Sequence, residues 1–68
     1  MSRRLYQCTD TLFPRSLEDG RPIKLTAGST FFFDEDQAGD ILIITINNCE
    51  FSIERGAFSA AKCARKNP

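Results

Sequence analysis

Residues 40–54, DILIITINNCEFSIE, decide the fold, because they contain the clearest β-hairpin pattern in the chain. Asn47 and Asn48 stand between two runs rich in β-branched and aromatic residues, and asparagine tolerates the positive φ that a two-residue hairpin turn requires. Side chains alternate along a strand, so a turn here pairs three apolar couples on one side: Ile46 with Cys49, Ile44 with Phe51, and Leu42 with Ile53. The opposite side carries Ile41, Ile43 and Thr45 against Glu50, Ser52 and Glu54. The pattern predicts one core face and one mostly solvated face.

Length and composition describe a small folded domain. The 68 residues are 41% hydrophobic and 26% charged, which is ordinary for a globular protein and predicts one domain over residues 1–68. Nine basic and nine acidic residues cancel, whereas a dedicated nucleic-acid binder usually shows a basic excess. The longest apolar run, residues 41–44, is too short to cross a bilayer, and no apolar segment follows the N-terminal arginines as in a secretory signal. We therefore expect a cytoplasmic protein with no membrane partner.

Residue types that usually carry catalysis or bind metals are scarce. The chain has no histidine, and its three cysteines, Cys8, Cys49 and Cys63, lack the paired C-x-x-C spacing of a zinc site. Without histidine no Ser-His or Cys-His pair can form, and no glycine-rich loop precedes a helix. The acidic segment at residues 34–40, DEDQAGD, lacks the closing glutamate of a calcium loop and predicts a solvated turn. The sequence thus predicts a non-catalytic protein without metal or cofactor, whose thiols are buried and reduced.

The rest of the chain supplies short strands and loops around the hairpin. Residues 5–12 predict a first strand, and residues 23–34 predict a second one that bends at Gly28. Between them, residues 13–22 predict a long loop held down by Phe13 and Leu17. Residues 55–58 predict a single tight turn, followed by a short strand or helical turn and by a frayed tail at residues 65–68. The predicted core contains Leu25, Phe31, Phe33, Leu42, Ile44, Ile46, Phe51, Ile53 and Phe58.

The order of these features resembles an SH3-like barrel. The stretch at residues 23–33, IKLTAGSTFFF, is similar to the family's diverging turn and second strand, where a glycine turn follows an apolar pair. Residues 10–22 resemble the long RT loop of that family, residues 34–40 its n-Src loop, and residues 47–48 its distal turn. Residues 55–58 resemble its single 3₁₀ turn. The resemblance implies an all-β fold, a small five-stranded antiparallel barrel with at most one short helical turn.

Departures from the family pattern bear on function. A peptide-binding SH3 domain has a tryptophan at the position of Ile41 and Leu42, and it has several tyrosines along its proline groove. This chain has no tryptophan, and Tyr6 is its only tyrosine. Because an aromatic-lined groove is what binds a polyproline helix, the sequence argues against PxxP recognition.

Three apolar residues on the solvated side predict a protein-binding site. Phe32, Ile41 and Ile43 share the outer face of the predicted sheet, and such a patch usually binds a partner or a second copy of the chain. They favour a small interaction module, an adaptor or an inhibitor that docks on a larger cellular protein. Tiny single-domain proteins of this kind are common on phages and other mobile elements. The alternative is that the loop at residues 10–22 folds over these side chains and completes the core.

A second hypothesis is nucleic-acid binding. Small SH3-like and OB-like barrels often bind DNA or RNA through aromatic rings set among basic residues. Both termini of this chain are basic, and the termini of such a barrel lie near each other. The candidate patch consists of Arg3, Arg4, Tyr6, Lys62, Arg65 and Lys66.

Overall fold

The computed structural model describes residues 3–66, which form short strands and one short helix. In chain order the elements are β1 (Arg3–Gln7), β2 (Arg15–Ser16), β3 (Thr30–Asp34), β4 (Ile41–Ile46), β5 (Cys49–Glu54), α1 (Arg55–Ala60) and β6 (Ala64–Arg65).

The central hairpin of β4 and β5 has the predicted turn and register. Asn47 and Asn48 have φ values of 50° and 64°, the left-handed conformation that a tight hairpin turn requires and that asparagine tolerates better than most residues. The apolar pairs across the two strands are the predicted ones, Leu42 with Ile53, Ile44 with Phe51 and Ile46 with Cys49. The prediction for this hairpin is confirmed.

All strands of residues 3–66 join one antiparallel sheet in the order β2-β5-β4-β3-β1-β6. The all-β prediction is therefore confirmed, but the strand count and closure differ from the expectation. The described chain has six strands in an open sheet with β2 and β6 at its edges, where the sequence predicts five in a barrel. The additional strand arises because Arg15 and Ser16 pair with Ser52 and Phe51 of β5. This pairing gives hydrogen-bond partners to backbone groups that β5 would otherwise leave at a bare sheet edge.

Residues 12–25 form an antiparallel arm instead of an irregular loop. Leu12 and Leu25 exchange two backbone hydrogen bonds of 2.8 Å each, and the Ser16 N–H donates to the Arg21 carbonyl at 2.9 Å. Gly20 closes the tip with φ of 72°, and its N–H donates to the Ser16 carbonyl. The arm is thus held by its own backbone ladder and by β5.

The arm is anchored to the core by different side chains from those predicted. Leu12 and Pro14 are buried, whereas Phe13 and Leu17 are 65% and 52% exposed. The prediction that Phe13 and Leu17 hold this segment down is wrong. In an extended arm successive side chains alternate in direction, so burial of Leu12 and Pro14 turns Phe13 outward.

The core lies on the inner side of the sheet. Six of the nine predicted core residues are buried, namely Leu25, Phe31, Phe33, Leu42, Ile44 and Ile53. The remaining predicted members, Ile46, Phe51 and Phe58, are half-buried against that cluster. The sequence-based list omits four buried residues, Cys8, Leu12, Pro14 and Ala61.

The segment after the hairpin closes one end of the core. Helix α1 has six residues, fewer than two turns, and Phe58 packs on Phe33 with ring centroids 4.7 Å apart. Strand β6 then pairs with β1, and the Lys66 N–H donates to the Leu5 carbonyl at 2.8 Å. Arg65 therefore belongs to the sheet and Lys66 is hydrogen-bonded to β1, so neither is part of a frayed tail, while residues 67–68 lie outside the described residues. Within residues 3–66, no helix has the length and apolar character needed to cross a membrane.

Candidate docking surface

The outward side of the sheet carries the three predicted interaction residues. Phe32 on β3 is 46% exposed and Ile41 on β4 is 56% exposed, while Ile43 is half-buried. Phe32 lies beside Thr45 of the neighbouring strand, so Ile43 is its diagonal neighbour. The structure thus places all three on one side of the sheet, which we call the outer face.

The arm of residues 12–25 lies beside the outer face and does not cover it. Arg15 and Ser16 pair edge to edge with β5, and the Leu17 N–H donates to the Glu50 carbonyl at 3.2 Å. The arm therefore extends the sheet sideways, and Phe32 and Ile41 stay exposed. The alternative in which this segment folds over the apolar side chains does not describe the structure.

Two apolar residues of the arm enlarge the outer face. The pairing of the arm with β5 places Leu17 opposite Glu50, and the same register places Phe13 opposite Glu54. Residues paired across an antiparallel ladder point to the same side, so Phe13 and Leu17 face outward with these glutamates. The outer face therefore holds the large hydrophobic side chains that are most exposed among residues 3–66, namely Phe13, Leu17, Phe32 and Ile41. Sequence patterns missed Phe13 and Leu17 because they do not show which strand the arm pairs with.

Two shallow grooves lie along the outer face. The larger, of about 510 Å³, lies at the margin of that face, where Phe13 and Ile41 meet helix α1 and the core residues Leu12, Ile53 and Ala61. The smaller, of about 220 Å³, is lined by Phe32 and Ile43. At that groove the Arg3 guanidinium stands 5.0 Å from the centroid of the Phe32 ring, a cation–π arrangement.

The smaller groove is positioned by Gln37, a residue of the acidic turn. The Gln37 side-chain amide donates to the Ile43 carbonyl at 2.7 Å, and its oxygen accepts the Ile43 N–H at 2.6 Å. The same amide donates to the Asp34 carbonyl at 3.1 Å. The ladder between β3 and β4 ends at the pair of Phe33 and Ile44. Beyond it, the Gln37 side chain makes the two hydrogen bonds to Ile43 that a strand residue would otherwise make. The Arg55 Nε donates to the Gly39 carbonyl at 2.7 Å. The acidic turn is thus held by β4 and α1, while Asp36, Gly39 and Asp40 are exposed to solvent as predicted.

Acidic side chains run along the centre of the outer face. Glu50 and Glu54 lie on the outward side of β5, between the apolar residues of the arm and those of β3 and β4. They are four positions apart in the strand, which corresponds to about 13 Å. Within residues 3–66 neither glutamate forms an ion pair. The outer face therefore combines apolar side chains with these two carboxylates, and Arg15 and Arg3 lie on the same side of the sheet.

The predicted nucleic-acid residues are divided between the two sides of the sheet. Arg3 lies on the outer face with Phe32, whereas Arg4 is the next residue of the strand and points to the opposite side. Lys62 and Lys66 are exposed near the C-terminal end of the described chain. The basic side chains do not all converge on one surface.

Tyr6 is part of the aromatic packing of the core. Its ring meets Phe33 edge-on with centroids 5.1 Å apart and also packs near Phe31 and Phe58. Its hydroxyl donates to the Glu35 carboxylate. Arg65 donates to both oxygens of the same carboxylate, at 2.8 and 3.1 Å. A ring surrounded in this way offers little area for stacking on a nucleic-acid base.

The Glu35 carboxylate sets the electrostatics of this group. Donation by the Tyr6 hydroxyl is the largest effect that lowers the pKa of Glu35, and Arg65 and Arg4 lower it further. Burial raises the pKa of Tyr6, as does its hydrogen bond to Glu35. The same carboxylate raises the pKa of Arg65. All of these shifts favour the arrangement in which Glu35 is charged and Tyr6 is neutral.

We expect the Glu35 group to stabilise the fold only between two limits of pH. Because the pKa of Glu35 is lowered on folding, its contribution is present above the ordinary value of 4.5 and is lost as pH falls through the folded-state pKa. Because the pKa of Tyr6 is raised, its contribution is present below the ordinary value of 10.0 and is lost as pH rises through the folded-state pKa. Thermal unfolding of the wild type and of Glu35→Gln, measured across acid and alkaline pH, should show a smaller acid dependence in the variant. Glu18→Gln, at the exposed arm tip, is the control, and an equal change in both variants would contradict this assignment.

The cysteines occupy three different environments. Cys8 is buried, Cys63 is half-buried and Cys49 is exposed. The prediction that Cys49 is buried is wrong, although it pairs with Ile46 as expected, because the residue adjoins the turn at the end of the ribbon. Within residues 3–66, no three His, Cys, Asp or Glu side chains converge as a metal ion would require.

Comparisons of the chain with protein-family models, with curated proteins and with solved structures give no match. Function is therefore inferred from the outer face and its chemistry.

Proposed function

We propose that this chain is a small non-catalytic protein-interaction module, an adaptor or an inhibitor that docks on a larger protein through its outer face. The observation that carries the proposal is the common location of the most exposed large apolar side chains, Phe13, Leu17, Phe32 and Ile41. Single apolar residues scattered over a surface are ordinary, whereas several on one face are typical of an interaction site. Ile43 adds a half-buried side chain between them.

Burial of these side chains is sufficient for a complex of moderate affinity. Full burial of one large apolar side chain contributes about 1.5–3 kcal/mol, and these four are already about half covered. Their remaining contribution is on the order of 3–6 kcal/mol, which is similar to the lower estimates for the cost of association. Tight binding therefore also needs polar complementarity.

Glu50 and Glu54 define the polar chemistry of the partner. A partner with basic side chains opposite these carboxylates would form charge-assisted hydrogen bonds with them. In a second copy stacked face to face, Glu50 and Glu54 would repel the same carboxylates unless they met Arg3 or Arg15 of the other copy. The carboxylates therefore favour a partner with a basic and apolar surface.

The fold type that we propose with this function is an SH3-like one whose sheet stays open and does not close into a barrel. It is supported by the order of the elements, with a long arm after the first strand, a tight hairpin and one short helix before the last strand. In that fold type Ile41 and Leu42 stand at the position of the tryptophan of the polyproline groove. Docking through an aliphatic and acidic face would replace recognition of a proline-rich peptide.

The competing function is nucleic-acid binding by the basic termini. Glu35 argues against it, since its carboxylate already occupies the donor groups of Tyr6 and Arg65. A nucleic-acid phosphate would have to displace that carboxylate or bind beside a like charge.

The proposal is tested with two matched double variants. Phe32→Ser/Ile41→Ser removes two exposed side chains of the outer face and leaves the core unchanged. Lys62→Gln/Lys66→Gln changes two exposed residues of the basic termini. Each protein is immobilised and exposed to extract from its host cells, with and without nuclease. We expect the wild type and the lysine variant to capture the same protein, and the outer-face variant to capture at least about tenfold less.

Other results would assign the face differently. Equal capture by the outer-face variant contradicts the proposal. Capture that is lost with nuclease and in the lysine variant supports nucleic-acid binding instead. Light scattering of the isolated wild type should give a mass of 7.6 kDa. Twice that mass, reduced to the monomer in the outer-face variant, would identify a second copy as the occupant.

A further inference from the structure

Cys8 and Cys63 lie opposite each other at the end of the ladder between β1 and β6. Tyr6 pairs with Arg65, and Gln7 pairs with Ala64. Continuing the same antiparallel register by one residue brings Cys8 opposite Cys63. Both side chains belong to the inner side, where Cys8 is fully buried and Cys63 is packed against the core.

The backbone hydrogen bonds define the type of this cross-strand pair. The Cys8 N–H donates to the Ser29 carbonyl, and the Cys8 carbonyl accepts the Gly28 N–H. Both backbone groups of Cys8 are therefore used on the side of β3. On the side of β6, the Lys66 N–H donates to the Leu5 carbonyl. Hydrogen-bonded pairs alternate along the ladder, so Leu5 and Gln7 are in hydrogen-bonded pairs with β6, and Tyr6 and Cys8 are not. Cys8 and Cys63 are therefore a non-hydrogen-bonded pair, for which the Cα atoms are typically about 4.5 Å apart. That separation lies at the lower end of the range of about 4.4–6.8 Å found in disulfides.

The surroundings of Cys63 disfavour its thiolate form at neutral pH. Burial raises the pKa of the Cys63 thiol to about 12, and the adjacent Cys8 thiol adds to the shift. The Cys8 thiol also approaches the carbonyl oxygens of Ser29 and Thr26, at 3.7 and 3.8 Å. Because the thiolate is the reactive form, we expect the Cys63 thiol to react slowly at neutral pH and faster at alkaline pH. Cys49 is exposed at the hairpin turn and does not belong to the pair.

We propose that Cys8 and Cys63 are a dithiol modification site that forms a reversible disulfide with small-molecule disulfides such as oxidised glutathione. Cys63 is the partly exposed member, so its thiolate attacks the small disulfide, forms a mixed disulfide and releases one thiolate. Cys8 then attacks the Cys63 sulfur and releases the second thiolate. Two protein thiols and one small disulfide become one protein disulfide and two small thiols, with two electrons passing to the oxidant.

The disulfide would join the C-terminal strand to the first strand. β6 has only two residues and one strand neighbour, so it is a weak edge of the sheet. A bond between positions 8 and 63 closes most of the chain into one loop, which restricts the unfolded state and stabilises the fold. The outer face lies on the other side of the sheet and is unchanged. The site thus links stability, and not docking, to the thiol–disulfide balance.

The experiment uses Cys49→Ser, which removes the exposed thiol and leaves the pair. The folded variant is incubated with oxidised glutathione at mildly alkaline pH, unfolded under acid conditions and assayed for thiols, and its peptides are mapped by mass spectrometry. We expect both remaining thiols to disappear into an intramolecular Cys8–Cys63 linkage that dithiothreitol reverses. The melting temperature should rise by at least about 5 °C.

Cys8→Ser/Cys49→Ser is the matched control, because it retains Cys63 without its partner. This control should form only a glutathione adduct and gain no thermal stability. Two persistent thiols after prolonged oxidation of the folded protein would overturn the proposal. A linkage that forms only in the denatured chain, or that lowers the melting temperature, would also overturn it.

Discussion

Replacing Ile44 by alanine should lower the free energy of unfolding by about 2–5 kcal/mol. Ile44 has no exposed surface, and it pairs with Phe33 on one side and with Phe51 on the other. The substitution leaves a cavity that the paired strands cannot close without breaking their register. A chain of this length has a total stability of roughly 3–10 kcal/mol, so the variant should be partly or largely unfolded at room temperature.

The matched control is Ile43→Ala, the same substitution at the adjacent residue of the same strand. Ile43 is half-buried on the outer face, so its truncation should cost clearly less than that of Ile44. Urea denaturation followed by circular dichroism measures both variants. An equal or larger loss for Ile43→Ala would show that the hairpin is turned over relative to the core.

The hairpin was predictable because its determinants are local. Asn47 and Asn48 fix the turn, and the turn fixes which residues of β4 and β5 face each other. Alternation then assigns Ile44 to the core and Ile43 to the outer face without any knowledge of the rest of the chain. Ile41 and Ile43 followed from this alternation as candidate docking residues, and Phe32 followed from the same rule applied to residues 23–34.

The arm was not predictable in the same way, because its structure depends on a distant partner. No residue near Arg15 and Ser16 indicates that they pair with β5. That pairing places the arm beside the edge of the sheet and not over its face. The role of Gln37 is also non-local, since its side chain completes a ladder at Ile43. Composition alone could not show that the solvated acidic turn also bonds to β4. Polar side chains that replace backbone partners leave no hydrophobic periodicity.

Leu12→Ala and Phe13→Ala, two adjacent substitutions in the arm, should have opposite consequences. Leu12 is buried and exchanges backbone hydrogen bonds with Leu25 at the base of the arm. Its truncation should cost about 2–5 kcal/mol. Phe13 is the larger residue but projects from the outer face, so its truncation should change stability by less than about 0.5 kcal/mol.

The same two variants separate folding from docking. Phe13→Ala removes an exposed wall of the larger groove, so it should weaken capture of the partner protein while the melting temperature stays unchanged. Leu12→Ala should lower the melting temperature, and at a temperature where it is still folded it should capture the partner as the wild type does. Thermal melting and the capture assay, applied to both variants, measure these effects. If Phe13→Ala were the more destabilising change, then Phe13 and not Leu12 would anchor the arm, and the outer face would lose one of its walls.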